Sequence, residues 1–396
     1  MNLSYTGKKK TEEILAKVKK AKQIDLSSGK SAFIKGDNFE VMASLLSSGF
    51  AGKVDLIYID PPFNTNQVFT VDDSHISTIS RASSSLVAYS DNMSQSEYLE
   101  FLRERLLLLR ELLSEQGSIY LHIDCKMGHY VKMIMDEVFG ANNFINDISR
   151  IKSNPKNFKR KAYGNQKDVV YFYAKNKDEN IFNDVTIQLD NTDRSRMFNK
   201  IDENGRRYNT VPVHAPGETQ NGKTGGLWRD MMPPKGRHWR TDPDELEKLD
   251  QQSLIEWSKN GVPRIKKYAD EHKGKKVQDV WYYLDPAYPE YPTEKNQEML
   301  KMIVEQSSNK SSIVMDCFAG SGSTLLASET LGRKWIGIDQ SDFSEKVIRS
   351  RLKDADAIMD DYTSLINEKV KPIIKEAEEI SYSTQTNLPL LQQALY

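Results

Sequence analysis

Short apolar runs and amphipathic stretches alternate along the first half of this sequence. Four apolar runs have the length and composition of buried strands, at residues 32–37, 54–60, 118–124 and 168–176. Helical spacing of apolar residues lies between them, at residues 38–49, 95–117 and 129–140. Strands that alternate with helices in this way predict an α/β fold built on a doubly wound, mostly parallel sheet.

The N-terminal elements carry additional signals. The first residues, up to about position 30, are Lys-rich and predict an amphipathic helix followed by a turn. Before the Leu-rich helix, Ser94 is followed three residues later by Glu97, which is the spacing of a capping box. We therefore expect that helix to begin at Gln95.

The alternation stops near residue 178 and returns after Tyr291. The segment between is rich in Asn, Asp, Gly, Arg and Trp, with helical patches predicted at 242–251 and 263–272. The returning pattern consists of helix 293–308, strand 312–318, helix 323–332, strand 334–341 and helix 342–359, before a weakly ordered tail of about 30 residues. The sequence thus predicts an N-terminal half-domain at 1–177, an inserted domain at 178–285 and a C-terminal half-domain at 286–396.

Composition narrows the class of protein. The 396 residues include two cysteines, and no apolar run reaches the length of about 18 residues that a membrane span needs. The N-terminus is charged from Lys8 onward, unlike a secretory signal. These features predict a cytoplasmic globular protein without a disulfide framework or a membrane contact.

Charge is unevenly distributed, although the net charge is only −1. Residues 150–285 contain 27 Lys and Arg against 20 Asp and Glu, whereas the rest of the chain contains 28 against 36. The stretch 150–167 has seven basic residues and no acidic one, so it is either a solvated loop or a segment that follows nucleic-acid phosphates. Its candidates for phosphate contact are Lys156, Lys159, Arg160 and Lys161.

One informative motif ends the second apolar run, where Asp60, Pro61, Pro62 and Phe63 follow a strand directly. Two prolines remove two backbone donors and fix φ at both positions, so the chain must leave the sheet there. A carboxylate, rigid carbonyl groups and an aromatic ring remain at the strand tip. This arrangement is suited to holding a flat polar group.

A second motif has the features of a nucleotide-binding turn. Strand 312–318 leads through Asp316 into a turn with Gly320 and Gly322, and the turn opens a helix. Asp339 ends the next strand 17 positions after Gly322, where an acid binds ribose hydroxyls.

The kind of ligand follows from what this turn lacks. Leu325 stands where a dinucleotide fingerprint has its third glycine, and no phosphate-binding G-K-[ST] follows. The carboxylate of Asp316 repels phosphates and attracts a cation. S-adenosylmethionine carries an amino group, a sulfonium and a ribose without phosphate, and therefore fits the motif.

Together, these motifs resemble those of the β group of DNA amino-methyltransferases from bacterial restriction-modification systems. The resemblance is carried by KGDN at 35–38, IDPPFNT at 59–65, YPTEKN at 291–296, and DCFAGSGST at 316–324 with Asp339. The layout is similar to adenine-specific type III modification subunits and their type II relatives. It implies a circularly permuted S-adenosylmethionine-dependent methyltransferase fold with an inserted target-recognition domain. Asn296 departs from the family pattern, which has proline there, and predicts a different helix start.

The resemblance also implies roles for individual residues. Asp60, Pro61, Pro62 and Phe63 form the catalytic motif. The implied cofactor-binding residues are Asp37, Thr293, Lys295, Asp316, Phe318, Gly320, Gly322, Thr324 and Asp339. In the inserted domain we expect Arg229, Lys235, Arg237 and Arg240 to contact double-stranded DNA, while Trp228 and Trp239 suit a small core equally well.

The chemistry of an exocyclic amine explains the first motif. Its lone pair is delocalised into the base, so acceptors out of the ring plane, such as the Asp60 carboxylate and the Pro61 carbonyl, favour the pyramidal form that attacks a methyl group. The sulfonium is already an activated leaving group, so neither a metal nor a covalent intermediate is required. The base must be flipped out of the duplex, and stacking on Phe63 offsets part of that cost.

Three alternatives remain at this stage. Methylation of N4 of cytosine uses the same geometry, but Ser is commoner at the first motif position in that group, so Asp60 favours N6 of adenine. A dinucleotide-dependent oxidoreductase on the same fold is more remote, because it gives Asp60 no task. His122, Asp124 and His129 lack a fourth metal ligand, so we expect structural roles for them. Whether the chain forms a homodimer, or accompanies a separate restriction endonuclease subunit, is left open.

Overall fold

A computed structural model describes residues 3–62, 93–154, 161–219, 222–286, 289, 291 and 294–365, together with the backbone of two short strands at Val68–Val71 and Leu86–Ser90. The chain divides into two compact units, one formed by residues 1–185 with 278–396 and the other by Thr186–Val277. The second unit lies inside the segment that the sequence assigns to an inserted domain. Within the described ranges, no helix has the length and apolar character needed to cross a membrane.

The strands and helices are numbered in chain order. The strands are β1 (Ser31–Lys35), β2 (Val54–Ile59), β3 (Val68–Val71), β4 (Leu86–Ser90), β5 (Leu113–Ile123), β6 (Phe144–Ile151), β7 (Lys167–Ala174), β8 (Thr186–Ile187), β9 (Lys200–Ile201), β10 (Arg207–Pro212), β11 (His214–Pro216), β12 (Arg237–Trp239), β13 (Ile255–Trp257), β14 (Pro263–Tyr268), β15 (Lys275–Lys276), β16 (Val280–Tyr282), β17 (Ile313–Asp316), β18 (Lys334–Asp339) and β19 (Ala357–Asp361). The helices are α1 (Thr11–Val18), α2 (Asn38–Ser47), α3 (Gln95–Leu112), α4 (Gly128–Phe139), α5 (Asn191–Met197), α6 (Pro243–Gln251), α7 (Gln297–Ser307), α8 (Ser323–Thr330), α9 (Asp342–Arg351) and α10 (Tyr362–Leu365).

One sheet organises the first unit. In the described part of the chain it has nine strands in the order β16-β6-β7-β5-β2-β17-β18-β1-β19. Only β7 runs antiparallel to its neighbours β5 and β6, and the other pairs are parallel. Strands β17 and β18 from the C-terminal part lie between β2 and β1 from the N-terminal part. This confirms the predicted doubly wound, mostly parallel sheet, which the two ends of the chain build together.

Alternating side chains build a separate core on each face of the sheet. Ile34 and Ile338 belong to a buried cluster with residues of α1 to α4. Phe33 and Trp335, at alternate positions of the same two strands, belong to a second cluster with residues of α8 and α9, because successive side chains on a strand point to opposite faces. With both faces covered, ligands of such a sheet bind at its carboxyl edge.

The Leu-rich helix starts as predicted and ends earlier than predicted. The Ser94 side chain and Glu97 form the expected capping box, so α3 begins at Gln95. The helix stops at Leu112, because Leu113 already pairs with Val54 of β2 and begins β5. The predicted helix was too long because Leu113 continues the apolar spacing of α3, although it faces the core from β5.

Two other predicted helices are wrong in part or in full. The patch at 263–272 contains β14, whose alternating buried residues pair with β10 and β13. The predicted helix 342–359 ends at Arg351, and the chain then forms the edge strand β19 along β1. The predicted weakly ordered tail lies outside the described residues.

The second unit has its own small core. A sheet in the order β13-β14-β10-β9 packs Ile255 and Ile265 against Trp228 and Trp239, whose rings meet edge to face at 5.9 Å. Leu246 of α6 is fully buried in the same cluster. The two tryptophans therefore serve the core, which is one of the two roles that the sequence allowed.

The glycine before α8 gives a test of this packing. Gly322 has φ +72°, and a Cβ there would lie 2.7 Å from Ile348, whereas Gly332 has φ +68° with open space around its Cβ position. Both Gly→Ala variants strain the backbone, but only Gly322→Ala also overpacks the core. We expect Gly322→Ala to lower the free energy of unfolding by about 1–3 kcal/mol more than Gly332→Ala, measured by urea denaturation. Equal losses would contradict the close approach of α9.

Candidate functional site

The site lies where neighbouring parallel strands end at the same edge of the sheet. Leu56 and Ile57 of β2 pair with Val314 and Met315 of β17. This register places Asp60, just past β2, and Asp316, the last residue of β17, on one cleft. The two motifs that the sequence identified separately thus line the same space.

Asp60 is held by an ion pair at the mouth of this cleft. Its side chain is 15% exposed, and its Oδ2 pairs with the ammonium of Lys295. Lys295 stands two residues before α7, whose first amides donate to the Asn296 side chain at 3.0 and 3.2 Å. Asn296 thus caps the helix at the position where a different helix start was expected. Pro61 is buried, Pro62 lines the cleft, and Phe63 lies outside the described residues.

The glycine turn is organised by the two carboxylates around it. Asp316 accepts hydrogen bonds from the Phe318 amide at 3.0 Å and from the Thr324 hydroxyl at 2.7 Å. Asp339, at the end of β18, accepts from the Gly320 amide at 2.8 Å. Gly320 itself has φ +51°, which favours glycine. These hydrogen bonds define the shape of the turn.

Burial makes these carboxyl groups unusually basic. It raises the pKa of Asp316 from 3.8 to about 7, against the opposing hydrogen bonds from Thr324 and Phe318. Burial also raises the pKa of Asp339. A positive charge brought into this cleft would favour ionisation of both groups.

The far end of the cleft contains a residue that the sequence analysis missed. Arg105 of α3 donates to Asp37 at 3.2 Å and also to Asn38. Its guanidinium lies 3.6 Å from the ring centre of Phe101, and that ring lies 6.1 Å from the ring of Phe318. An Arg four residues after an aromatic in a Leu-rich helix was the available signal.

The charge of the cleft lining is negative. Its charged residues in the described part of the chain are Asp37, Asp60, Asp316, Asp339, Arg105 and Lys295. The two cations already pair with Asp37 and Asp60. The cleft therefore suits a cationic ligand, as the sequence predicted for the glycine turn, and disfavours a pyrophosphate.

The predicted DNA-contacting residues fall into three groups. Lys156, Lys159 and Arg160, like Thr293 of the cofactor set, lie outside the described residues, and Lys161 is exposed. Arg229 is neutralised by Glu247 and Asp250, each at 2.7 Å, so its charge is already compensated.

Lys235, Arg237 and Arg240 form no ion pair with any described residue, and Arg237 donates to His214 at 3.2 Å. Arg240 donates to the carbonyl of Pro212 at 2.8 Å, two residues before His214. Burial and the nearby Arg237, Arg240 and Arg264 lower the pKa of His214.

Comparison with known proteins identifies the family to which this chain belongs. Residues 54–350 match the DNA methylase family of N6/N4 methyltransferases. A type II methyltransferase, M.EcaI of Enterobacter cloacae, is 38% identical over 98% of this chain and 82% of its own length. The EcoPI Mod subunit of Escherichia phage P1, from a type III restriction-modification enzyme, is 26% identical over 79% of this chain. The chain spans only 57% of that subunit.

The structural comparison includes M1.HpyAVI in a complex with SAM. It superposes with a TM-score of 0.44 and 16% identity over 81% of this chain and 98% of that protein. The assignment of the fold class here rests on the strand order and direction of the sheet itself.

The pKa of Asp316 predicts a pH-dependent effect on stability. Its folded-state pKa of about 7 exceeds the unfolded value of 3.8, so its stabilising contribution is complete below pH 3.8 and is lost as the pH rises through 7. In Asp316→Asn this loss is absent. We expect the stability of the variant relative to the wild type to increase between these two pH values, measured by urea denaturation. A constant difference would contradict the buried, protonated carboxyl group.

Proposed function

Because this chain belongs to the N6/N4 family of DNA methylases and is a DNA methyltransferase, we propose that it transfers a methyl group from S-adenosylmethionine to N6 of an adenine in duplex DNA. The observation that carries the proposal is the pairing of β2 with β17, which brings the Asp60 motif and the glycine turn to one negatively charged cleft. Asp60, rather than Ser, at the first motif position favours adenine over cytosine.

The cleft fits the cofactor at both ends. Phe101, Phe318 and Asp37 offer aromatic faces and an acceptor for an adenine ring, and Asp339 lies where a ribose would bind. Asp316 and the rest of the acidic lining complement the positive charge of S-adenosylmethionine, which supplies the activated methyl group when bound. The Thr324 hydroxyl donates a hydrogen bond to Asp316, so the carboxyl group is held in place before the cofactor binds.

On the substrate side, the protein's own groups hold the amine. The Asp60 carboxylate and the Pro61 carbonyl are the acceptors for its two N–H groups, and Lys295 fixes one oxygen of Asp60. The prolines hold these acceptors rigid before the base arrives, so little ordering is left for the reaction itself. Phe63 is the proposed stacking partner of the base after flipping.

DNA binding is assigned to basic residues without carboxylate partners. In the second unit these are Lys235, Arg237 and Arg240, and in the first unit the segment that contains Lys161. Arg229 is not one of them, because Glu247 and Asp250 already neutralise it. The homodimer and the separate restriction endonuclease subunit remain predictions.

The target base is tested by transferring labelled methyl from S-adenosylmethionine to duplexes that contain either adenine or cytosine as the only unmodified amino base, followed by nucleoside analysis. We expect N6-methyladenine and a loss of about 100-fold or more in Asp60→Ala. The control is Asp55→Ala, which removes a carboxylate of the same strand that bonds Ser114. Label in N4-methylcytosine would keep the mechanism and overturn the base, and equal loss in both variants would contradict the role of Asp60.

The DNA surface is tested by salt titration of binding. The double variant Arg237→Ala/Arg240→Ala should weaken binding and reduce the slope of log K against log salt by about 2, because two phosphate contacts are lost. Arg206→Ala removes one positive charge from the same unit, but Arg206 already pairs with Asp270 and Glu271, so we expect little change. Similar slopes for both proteins would remove this cluster from the DNA surface.

A further inference from the structure

A line of polar side chains crosses four neighbouring strands, and its members beyond Asp60 have no part in the steps above. It runs from Asp60, after β2, to His122 on β5, Asp168 on β7 and Lys152 at the end of β6. Nδ1 of His122 lies 3.4 Å from Oδ1 of Asp60, and its Nε2 lies 3.3 Å from Oδ2 of Asp168. Lys152 donates to Oδ1 of Asp168 at 2.6 Å. Burying ionisable groups costs free energy, so we asked what their placement next to the Asp60 carboxylate contributes to the reaction.

The hydrogen-bond partners determine where His122 carries its proton. Burial lowers the pKa of His122, whose side chain is fully buried, so the ring is neutral. Burial opposes ionisation of Asp168, but His122 and Lys152 hold its pKa at about 2, so it is a carboxylate that only accepts. Nε2 therefore carries the proton, and the lone pair of Nδ1 accepts from the Tyr58 hydroxyl at 3.1 Å.

With this tautomer of His122, one carboxylate oxygen of Asp60 has no hydrogen-bond donor among the described residues. Oδ2 pairs with Lys295, whereas the buried Oδ1 receives no hydrogen bond from any described residue. Oδ1 of Asp60 and Nδ1 of His122, whose lone pair already accepts from Tyr58, are both acceptors and lie 3.4 Å apart. The contact is unfavourable as it stands, and it becomes a hydrogen bond when the Asp60 carboxylate gains a proton.

We propose that His122 and Asp168 are positioning residues that prepare Asp60 to receive the proton released by the methylated amine, an inference that rests on the proposed function. An N–H bond of the amine breaks, its electron pair stays on nitrogen, and an O–H bond forms on the Asp60 carboxylate. Rotation of that carboxyl group brings its O–H to Nδ1 of His122, which then accepts from Asp60 as well as from Tyr58. Asp168 keeps the imidazole proton on Nε2, so the network stabilises Asp60 after proton transfer more than before it.

Asp168→Asn tests this role, because an amide that donates to Nε2 shifts the imidazole proton to Nδ1, where it occupies Asp60. We expect the single-turnover rate of methyl transfer to fall about 100-fold, with unchanged binding of DNA and S-adenosylmethionine. Tyr120→Phe is the control, since it removes a buried hydrogen bond to Ser307 from β5, the strand of His122, without touching Asp60. It should keep the wild-type rate.

A second pair of variants covers the case that Asp168→Asn does not fold. His122→Asn keeps an amide at the δ position beside Asp60, and His122→Gln moves it to the ε position beside Asp168. We expect single-turnover methyl transfer to be faster in His122→Asn than in His122→Gln, because only His122→Asn keeps an acceptor beside Asp60. Equal rates for the two, or an Asp168→Asn rate equal to that of Tyr120→Phe, would overturn the inference. A wild type that methylates no DNA would instead refute the proposed function.

The pH profile separates this role from a merely structural one. The groups that face His122 are Asp60 and Tyr58 from β2, Asp168 from β7 and Lys295 from the segment before α7. The fully buried Arg150 of β6 lies 4.0 Å from the Asp168 oxygen that Nε2 contacts. Protonation of Nδ1 would occupy Asp60, so the wild-type rate should fall with decreasing pH, below the ordinary histidine range near about 6.5. In Asp168→Asn, Nδ1 already carries the imidazole proton, so the rate of this variant should not show that fall. Identical profiles in both proteins would contradict the role.

Discussion

The pairing of β2 with β17 is the constraint on which the rest of the site depends. These strands come from opposite ends of the chain, yet they are neighbours and parallel. Parallel neighbours end at the same edge of a sheet, so whatever follows each strand must share one space. The carboxylate of Asp60 and the glycine turn after Asp316 therefore line the same cleft, although the two motifs are far apart in the sequence.

Much of the structure around this edge serves to fix acceptors before a substrate arrives. The prolines restrict the backbone after Asp60, Lys295 holds one of its oxygens, and Asp339 and Thr324 fix the glycine turn from either side. Methyl transfer from a sulfonium needs little covalent participation by the protein, so rigid placement of charge is the main contribution that the fold makes. The buried line through His122 extends the same principle to the proton that must leave.

The sequence predicted what depends on local pattern and missed what depends on neighbours across the sheet. Strand ends, glycine turns and capping boxes are determined by a few consecutive residues, so the positions of Asp60, Gly322 and the start of α3 could be predicted from the sequence. The role of His122 could not, because its partner Asp168 lies 46 positions away and becomes adjacent only through the antiparallel β7. For the same reason the first residues of the edge strand β19 were predicted as helix, since its pairing with β1 joins distant parts of the chain.

The most direct test of the shared cleft is to locate the bound cofactor. Labelled S-adenosylmethionine is crosslinked to the full chain by ultraviolet light, and the labelled peptides are mapped with and without excess unlabelled cofactor. The account predicts competable label in peptides that contain the glycine turn at 316–324 or the Asp60 motif, the two segments that β2 and β17 bring together. Competable label confined to the second unit, Thr186–Val277, would contradict it.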